Sequence, residues 1–142
     1  MKTEYCADAV AMYEGKLVLV KRLTFPKGLA LPGGRRKIIK GRPEGVEDCA
    51  IREFEEETGL ALLIDGTLGL YNHPDRDPRG RKISTVVYGK AFGEFRDESK
   101  KTKVIFVDLS QVESKKDQFA FDHYAIINDY KSKIYIPIHD LQ

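Results

Sequence analysis

The sequence predicts one α/β domain built around a mixed β-sheet. Three observations carry this. The 142 residues fit the roughly 150 expected of a single domain. Hydrophobic residues at 42% and charged residues at 32% supply a core and argue against disorder. Strand-like stretches stand before, between and after two helical stretches, the order of a layered α/β structure. No linker, internal repeat or low-complexity segment divides the chain, so one domain is expected over residues 1–142.

The elements follow in order. Tyr5 to Met12 is strand-like, Glu14-Gly15 is a turn signal, and Lys16 to Val20 reads as a buried strand. Thr24 to Gly34 holds Pro26, Gly28, Pro32, Gly33 and Gly34, and reads as a loop. Pro43 suits the first turn of a helix, where its missing N–H costs nothing. Glu44, Glu47 and Asp48 favour a helix N-terminus, and Gly59 suits a left-handed end. A helix is therefore expected over Pro43–Thr58. Leu60 to Tyr71, interrupted by Gly66 and Gly69, reads as one or two strands. Asn72 to Gly80 is a charged loop, Lys82 to Phe92 a strand, Gly93 to Lys101 a polar loop and Lys103 to Leu109 a strand. Asp122 is placed to cap a helix over His123–Ser132.

Composition excludes several classes. Lys+Arg is 24 and Asp+Glu is 22, a net charge of +2, too small for a generic nucleic-acid coat. No apolar run approaches the roughly 18 residues of a membrane span, and Met1 to Tyr5 leads into no signal-peptide core. Cys6 and Cys49 form neither a metal-like cluster nor a disulfide framework. They read as small apolar fillers. A reducing, cytoplasmic setting is the expectation.

The placement of charge is more informative than its sum. From Lys21 to Arg42 there are eight basic residues and no acid; from Pro43 to Gly59 there are seven acids against Arg52 alone. Two solvated faces that attract each other would produce this. So would a divalent cation together with a polyanionic ligand.

The expected helix sharpens the question. With Val46 at zero and roughly 100° per residue, Ala50 falls near ~40° and Phe54 near ~80°, while Glu57 falls near ~20° and Glu53 near ~−20°. Two carboxylates therefore lie on or beside the apolar stripe, with Glu56 next to them and Glu55 facing water. A buried, unpaired carboxylate costs several kcal/mol, so a compensator is required: an arginine, a proton or a metal. Glu53, Glu56 and Glu57, at i, i+3 and i+4, share one patch. Hard oxygen ligands so arranged suit Mg2+ or Mn2+; salt-bridge partners from elsewhere in the chain would serve equally.

Arg52-Glu53-Phe54-Glu55-Glu56-Glu57-Thr58-Gly59-Leu60 resembles the core of the Nudix box, Arg-Glu-apolar-x-Glu-Glu-x-Gly-apolar. Glu44 stands at the family's spacing ahead of Arg52, and Leu31-Pro32-Gly33-Gly34 is similar to the segment before the box. One departure is visible. Nine residues, Arg35 to Pro43, separate Gly34 from Glu44, four more than in the family's pattern, so that Ile38 stands where the family has glycine. This is read as an insertion ahead of the helix. It bears on any backbone carbonyl ligand from Gly33 or Gly34 and leaves the glutamates untouched.

The resemblance implies a Nudix-like α/β/α sandwich that hydrolyses the pyrophosphate bond of a nucleoside diphosphate linked to another group, with Mg2+ or Mn2+ as cofactor. It implies metal ligation by Glu53 and Glu57 with Glu56 assisting, a backbone ligand at Gly34, Arg52 orienting a glutamate, and Glu44 as a structural partner of the helix. Glu98, with Asp97 and Glu94, lies in a loop that in relatives often supplies an extra acid. Relatives are often dimers, which makes a homodimer an expectation alongside a small nucleotide substrate and no membrane or nucleic-acid partner.

Arg76-Asp77-Pro78-Arg79-Gly80, followed by Ser84 and Val86-Val87-Tyr88, is similar to a stretch in ADP-ribose pyrophosphatases of the family, as is Phe121-Asp122-His123. ADP-ribose, cleaved to AMP and ribose 5-phosphate, is therefore the expected substrate. Other Nudix substrates (dinucleoside polyphosphates or modified nucleoside triphosphates) and a non-catalytic ADP-ribose-binding module are the alternatives. Arg76 and Arg79 offer planar forks to phosphate or ribose oxygens. Asp77 can accept from a ribose hydroxyl or hold an arginine. Arg22 is placed either to reach the diphosphate or to end a strand at the surface, and Phe25 either to stack on adenine or to fill the core. Asp122 reads as a cap and His123 as a packing or capping residue.

Overall fold

The computed structural model describes residues 2–135. The last residues, 136–142, carried no expectation beyond membership of the single domain, and that part of it lies outside the described residues. Among the described residues, nine strands and two α-helices follow one another: β1 (Glu4–Tyr13), β2 (Lys16–Arg22), β3 (Gly28–Ala30), β4 (Gly33–Arg35), β5 (Ile38–Ile39), β6 (Arg42–Pro43), α1 (Val46–Thr58), β7 (Ala61–Tyr71), β8 (Lys82–Phe92), β9 (Thr102–Val107) and α2 (His123–Lys133). Two 3-10 turns, Leu109–Gln111 and Glu113–Gln118, precede α2.

The main sheet is mixed, in the order β3-β2-β1-β8-β7, with β9 on β2 and β4 on β1. Among the described strands of this sheet only β1 and β8 run parallel, from Glu4↔Lys82 to Met12↔Lys90. Strand alternation gives this sheet two apolar faces. Ala7, Ala9 and Ala11 of β1, with Val18 and Val87, face Cys49, Ala50 and Phe54 of α1. Val10, Leu17, Leu19, Val86 and Val107 face Ile126, Ile127 and Tyr130 of α2. The result is the α/β/α sandwich. The alanine row matters because small side chains let α1 lie close to β1, with Phe54 wholly buried between them.

The Thr24–Gly34 stretch is not all loop. Gly28–Ala30 pairs with Val20–Arg22, and Gly33–Arg35 pairs with Cys6–Asp8. Both strands are made by distant partners, so proline and glycine content hid them. The helix begins later than expected, at Val46 rather than Pro43, with Gly45 extended at its N-cap. The cause is the inserted segment, which folds back as its own hairpin: Ile38 pairs with Pro43 and Ile39 with Arg42. Lys40 and Gly41 turn the corner at φ 51° and 79°, the left-handed pair of a two-residue hairpin. Gly59 ends α1 at φ 78° as expected. Leu60 to Tyr71 gives one strand, whose register shifts beside Gly66 and Gly69. No helix among the described residues is long and apolar enough to cross a membrane.

Candidate active site

Helix α1 brings its carboxylates to β4, the short strand that pairs with the start of β1. Burial of Cys49, Ala50 and Phe54 fixes the rotation of the helix, and Glu53 and Glu57 are consequently half-buried against Gly33 and Gly34. Glu57 Oε1 accepts the Gly33 N–H at 2.9 Å. Gly34 lies so close to Glu53 that a Cβ there would stand 2.6 Å from its carboxylate. Glycine at 34 is thus a space requirement of the acid beside it. Glu55 faces water, as the helical angles require, and Glu56 is exposed.

Arg52 organises this cluster. Its Nε and Nη2 donate to the two carboxylate oxygens of Glu44, each at 2.8 Å. Nη1 donates to Glu53 at 2.9 Å and reaches Glu56 at 3.2 Å. Glu44 also accepts the Lys37 N–H at 3.1 Å. The Arg52 fork, and the Lys37 amide after it, hold the Glu44 carboxyl down at about 2. Glu44 is therefore the structural partner that the resemblance implied, though it precedes the helix.

The three helical glutamates do not meet at one point. Arg52 sits between Glu53 and Glu56, while Glu57 turns to Gly33. Among the described residues no three acid, imidazole or thiol groups stand together as a formed metal cage. Arginine is thus one compensator, acting on Glu53 and Glu56. Glu57 lacks it. Burial, and then the nearby Glu53 and Asp8 charges, raise its carboxyl to about 8 against the opposing Gly33 amide. Burial likewise raises Glu53 despite Arg52. Desolvated carboxyls with spare oxygen lone pairs fit a hard divalent cation.

Asp8 was missed from sequence and belongs here. It lies on β1 opposite Gly33, is 7% exposed, and accepts the Ser84 hydroxyl at 2.5 Å. Burial raises it to about 6, with the Ser84 bond opposing. The signal was available: Asp8 is the one charge within Cys6–Val10, a strand centre of small apolar residues.

Asp8 floors a cavity of about 320 Å3 whose walls include Gly33, Gly34, Arg22, Arg76, Asp77, Arg79 and Phe121. Arg22 and Arg79 both lie over the Phe121 ring, at 5.2 and 5.3 Å from its centre. Asp77 holds Arg79 through two side-chain bonds, at 3.1 and 2.8 Å, and accepts its backbone N–H as well. Burial opposes the Asp77 charge, but these bonds outweigh it and keep its carboxyl below the usual range. Arg22 donates to the Pro26 and Phe25 carbonyls. Its charge meets no carboxylate within ion-pair distance among the described residues. Burial, and then Arg79, lower its proton affinity.

Several expected residues take different places. Arg76 is buried, and its fork closes on Asp122 at 3.0 and 2.8 Å, so it supports the wall. Asp122 stands at the N-cap of α2 but gives no side-chain cap bond, because Arg76 takes its carboxylate. His123 is buried, accepts the Leu31 N–H at 2.9 Å and is pushed down to about 3, first by burial and then by Arg76 and Arg22. It is a neutral pin between α2 and the segment before β4. Glu98 is exposed, does not line this cavity, and has no ion-pair partner among the described residues. Phe25 is 69% exposed and not in the core. The Gly34 carbonyl accepts the Cys49 thiol at 3.6 Å. Cys6 departs from a pure filler, since it lines the cavity.

Comparison with known proteins agrees with this construction. The NUDIX domain model matches residues 3–130. An ADP-ribose pyrophosphatase of Methanocaldococcus jannaschii is 39% identical over 126 residues, spanning 87% of this chain and 70% of that protein. The chain belongs to the Nudix family. Within it, the chain is a Nudix pyrophosphohydrolase. Among solved structures, a bifunctional NMN adenylyltransferase/ADP ribose pyrophosphatase of Francisella tularensis, complexed with AMP and a manganese ion, is 25% identical at a TM-score of 0.80. The match covers 93% of this chain but only 42% of that one. The NUDIX domain of Shewanella oneidensis NrtR, complexed with ADP ribose, shares the fold at 22% identity and a TM-score of 0.80, covering 95% and 90% of the two chains.

Proposed function

We propose that this chain is a divalent-metal-dependent ADP-ribose pyrophosphatase, yielding AMP and ribose 5-phosphate, and that residues 1–142 act as one Nudix domain. The observation that carries this reading is the pair of guanidiniums, Arg22 and Arg79, gathered on Phe121 in the cavity that Asp8 and Gly33 floor. Asp77 balances the Arg79 charge, while Arg22 has no carboxylate within ion-pair distance among the described residues, so the cavity has a place for a further anion, which a pyrophosphate is. The Methanocaldococcus jannaschii relative supports ADP-ribose among the possible pyrophosphates. The inserted segment forms its own hairpin and leaves Gly33 and Gly34 against α1.

Glu53 and Glu57 would hold the cation, Mg2+ or Mn2+, with Glu56 at its margin. When bound, the cation neutralises phosphate oxygens and makes a coordinated water acidic. The remaining work belongs to side chains of this chain. Arg52 restrains Glu53 by a charge-assisted bond. Asp77 presents Arg79 to the phosphates, and Arg76, locked to Asp122, keeps the wall in place. Glu98 takes no part in this reading, because it does not line the cavity.

The test is a panel of ADP-ribose, NADH, a diadenosine polyphosphate and several nucleoside triphosphates with Mg2+ or Mn2+, read by phosphate-containing products. ADP-ribose should be cleaved with the highest kcat/KM, and chelation should abolish turnover. Faster cleavage of a triphosphate or diadenosine polyphosphate would overturn the substrate. Tight ADP-ribose binding without product would establish the binding module instead.

A further inference from the structure

A second cavity, of about 610 Å3, opens on the other side of Arg22. Its floor is apolar: Leu23, Leu29 and Ile105. Lys21, Lys27 and Lys115 stand around it, and none of the three has an ion-pair partner within 4 Å among the described residues. The acid beside them is Asp117, next to the amide of Gln118. It is made by β2, β3, β9 and the turn Glu113–Gln118, none of which carries the glutamate cluster. The volume is that of a small-molecule site. A surplus of free ammonium groups around an apolar floor calls for a ligand that is flat and apolar in one part and anionic in another. The Asp117 carboxylate and Gln118 amide add the acceptor and donor that read an amino-bearing ring edge.

We propose that this cavity is a second nucleotide site, which takes a nucleoside monophosphate with its base on Leu29 and Ile105 and its phosphate on the lysines. The site is separate from hydrolysis and shares only the Arg22 wall with the phosphate cavity. Its occupancy does not depend on which pyrophosphate the enzyme cleaves.

The experiment counts bound AMP by isothermal titration of the full chain, wild type against the double variant Lys27→Glu/Lys115→Glu. A milder Lys27→Gln/Lys115→Gln variant is carried in parallel in case charge reversal impairs folding, which thermal melting reports. The variants should bind one AMP fewer per chain, with KM and kcat for pyrophosphate cleavage within about twofold of wild type. An unchanged AMP count would overturn the proposal. So would a tenfold rise in KM accompanying the loss, because the cavity would then be part of the substrate site. Adenosine binding there as tightly as AMP would overturn the role given to the lysines. ADP-ribose turnover, measured on the same samples, reports separately on the proposed reaction.

Discussion

Glu57 and Glu44 are two carboxylates of one cluster held in opposite protonation regimes. Glu44 has a full arginine fork and sits at about 2; Glu57 has one backbone amide, no arginine fork, and sits at about 8. Their substitutions should therefore separate. Glu57→Gln keeps the shape and the Gly33 bond but removes a charged oxygen donor. Its turnover should fall by more than the ~10–100-fold typical of residues that merely support metal ligands, with the melting temperature unchanged or raised. Steady-state rates and thermal melts decide this. A near wild-type rate would remove Glu57 from the proposed metal set. Glu44→Gln should instead cost stability, about 2 kcal/mol at neutral pH for a lost charged hydrogen-bond pair. The sign of its pH dependence follows from the depressed value. Glu44 stabilises the fold fully above its ordinary 4.5, and the contribution is lost as pH falls toward about 2. The gap between wild-type and Glu44→Gln melting temperatures should close over that window.

Among elements, β4 is the joint between the sheet and α1, and its two glycines serve different neighbours. A Cβ on Gly33 would strike the Asp8 side chain and stand 2.5 Å from the Ala7 carbonyl oxygen. That oxygen is backbone and cannot yield without unpairing β4 from β1. The nearest atoms to a Cβ on Gly34 would be those of the Glu53 carboxyl, from 2.6 Å, which can swing aside. Gly33→Ala should therefore destabilise by about 2 kcal/mol of overpacking, or roughly 8 °C in melting temperature. Gly34→Ala should melt within a few degrees of wild type yet lose most activity, because Glu53 is displaced. Equal effects of the two on stability would refute this division. The hairpin β5–β6 needs only its own turn chemistry at Lys40-Gly41. It folds on itself while β4 stays paired with β1.

Over the whole molecule, the sheet separates the work. One face carries α1 and the acids that reach β4; the other carries α2, beside whose start Phe121 and His123 line the cavity of Arg22 and Arg79. The basic and acidic blocks of the chain meet in space where Arg36 donates to the Glu44 carbonyl at 2.6 Å, and Arg79 arrives from the loop before β8. Arg79→Lys keeps the charge but loses the planar fork held by Asp77. It should raise KM for the cleaved pyrophosphate about tenfold, the ~1.4 kcal/mol of a weakened charged contact, with kcat largely retained. An unchanged KM would place Arg79 outside substrate contact.

Local pattern was enough for the strands β1, β2, β7, β8 and β9, both helices, the left-handed Gly59 and the four-residue insertion. It also identified the Nudix glutamates and Glu44 as a partner of the helix, since helical spacing and motif are properties of neighbouring residues; that Arg52 is what holds Glu44 came from the structure. Tertiary structure alone decided the rest, because the partners lie far apart in the chain. Asp8 became buried only when Gly33 and Ser84 closed on it. Arg76 was diverted to Asp122, and His123 became a neutral pin for Leu31. Arg22 and Arg79 became a pair only because Phe121 lies beneath both. A charge in a sequence states what a side chain can do; which counter-charge reaches it first, and how much water is left around it, is settled when the layers pack.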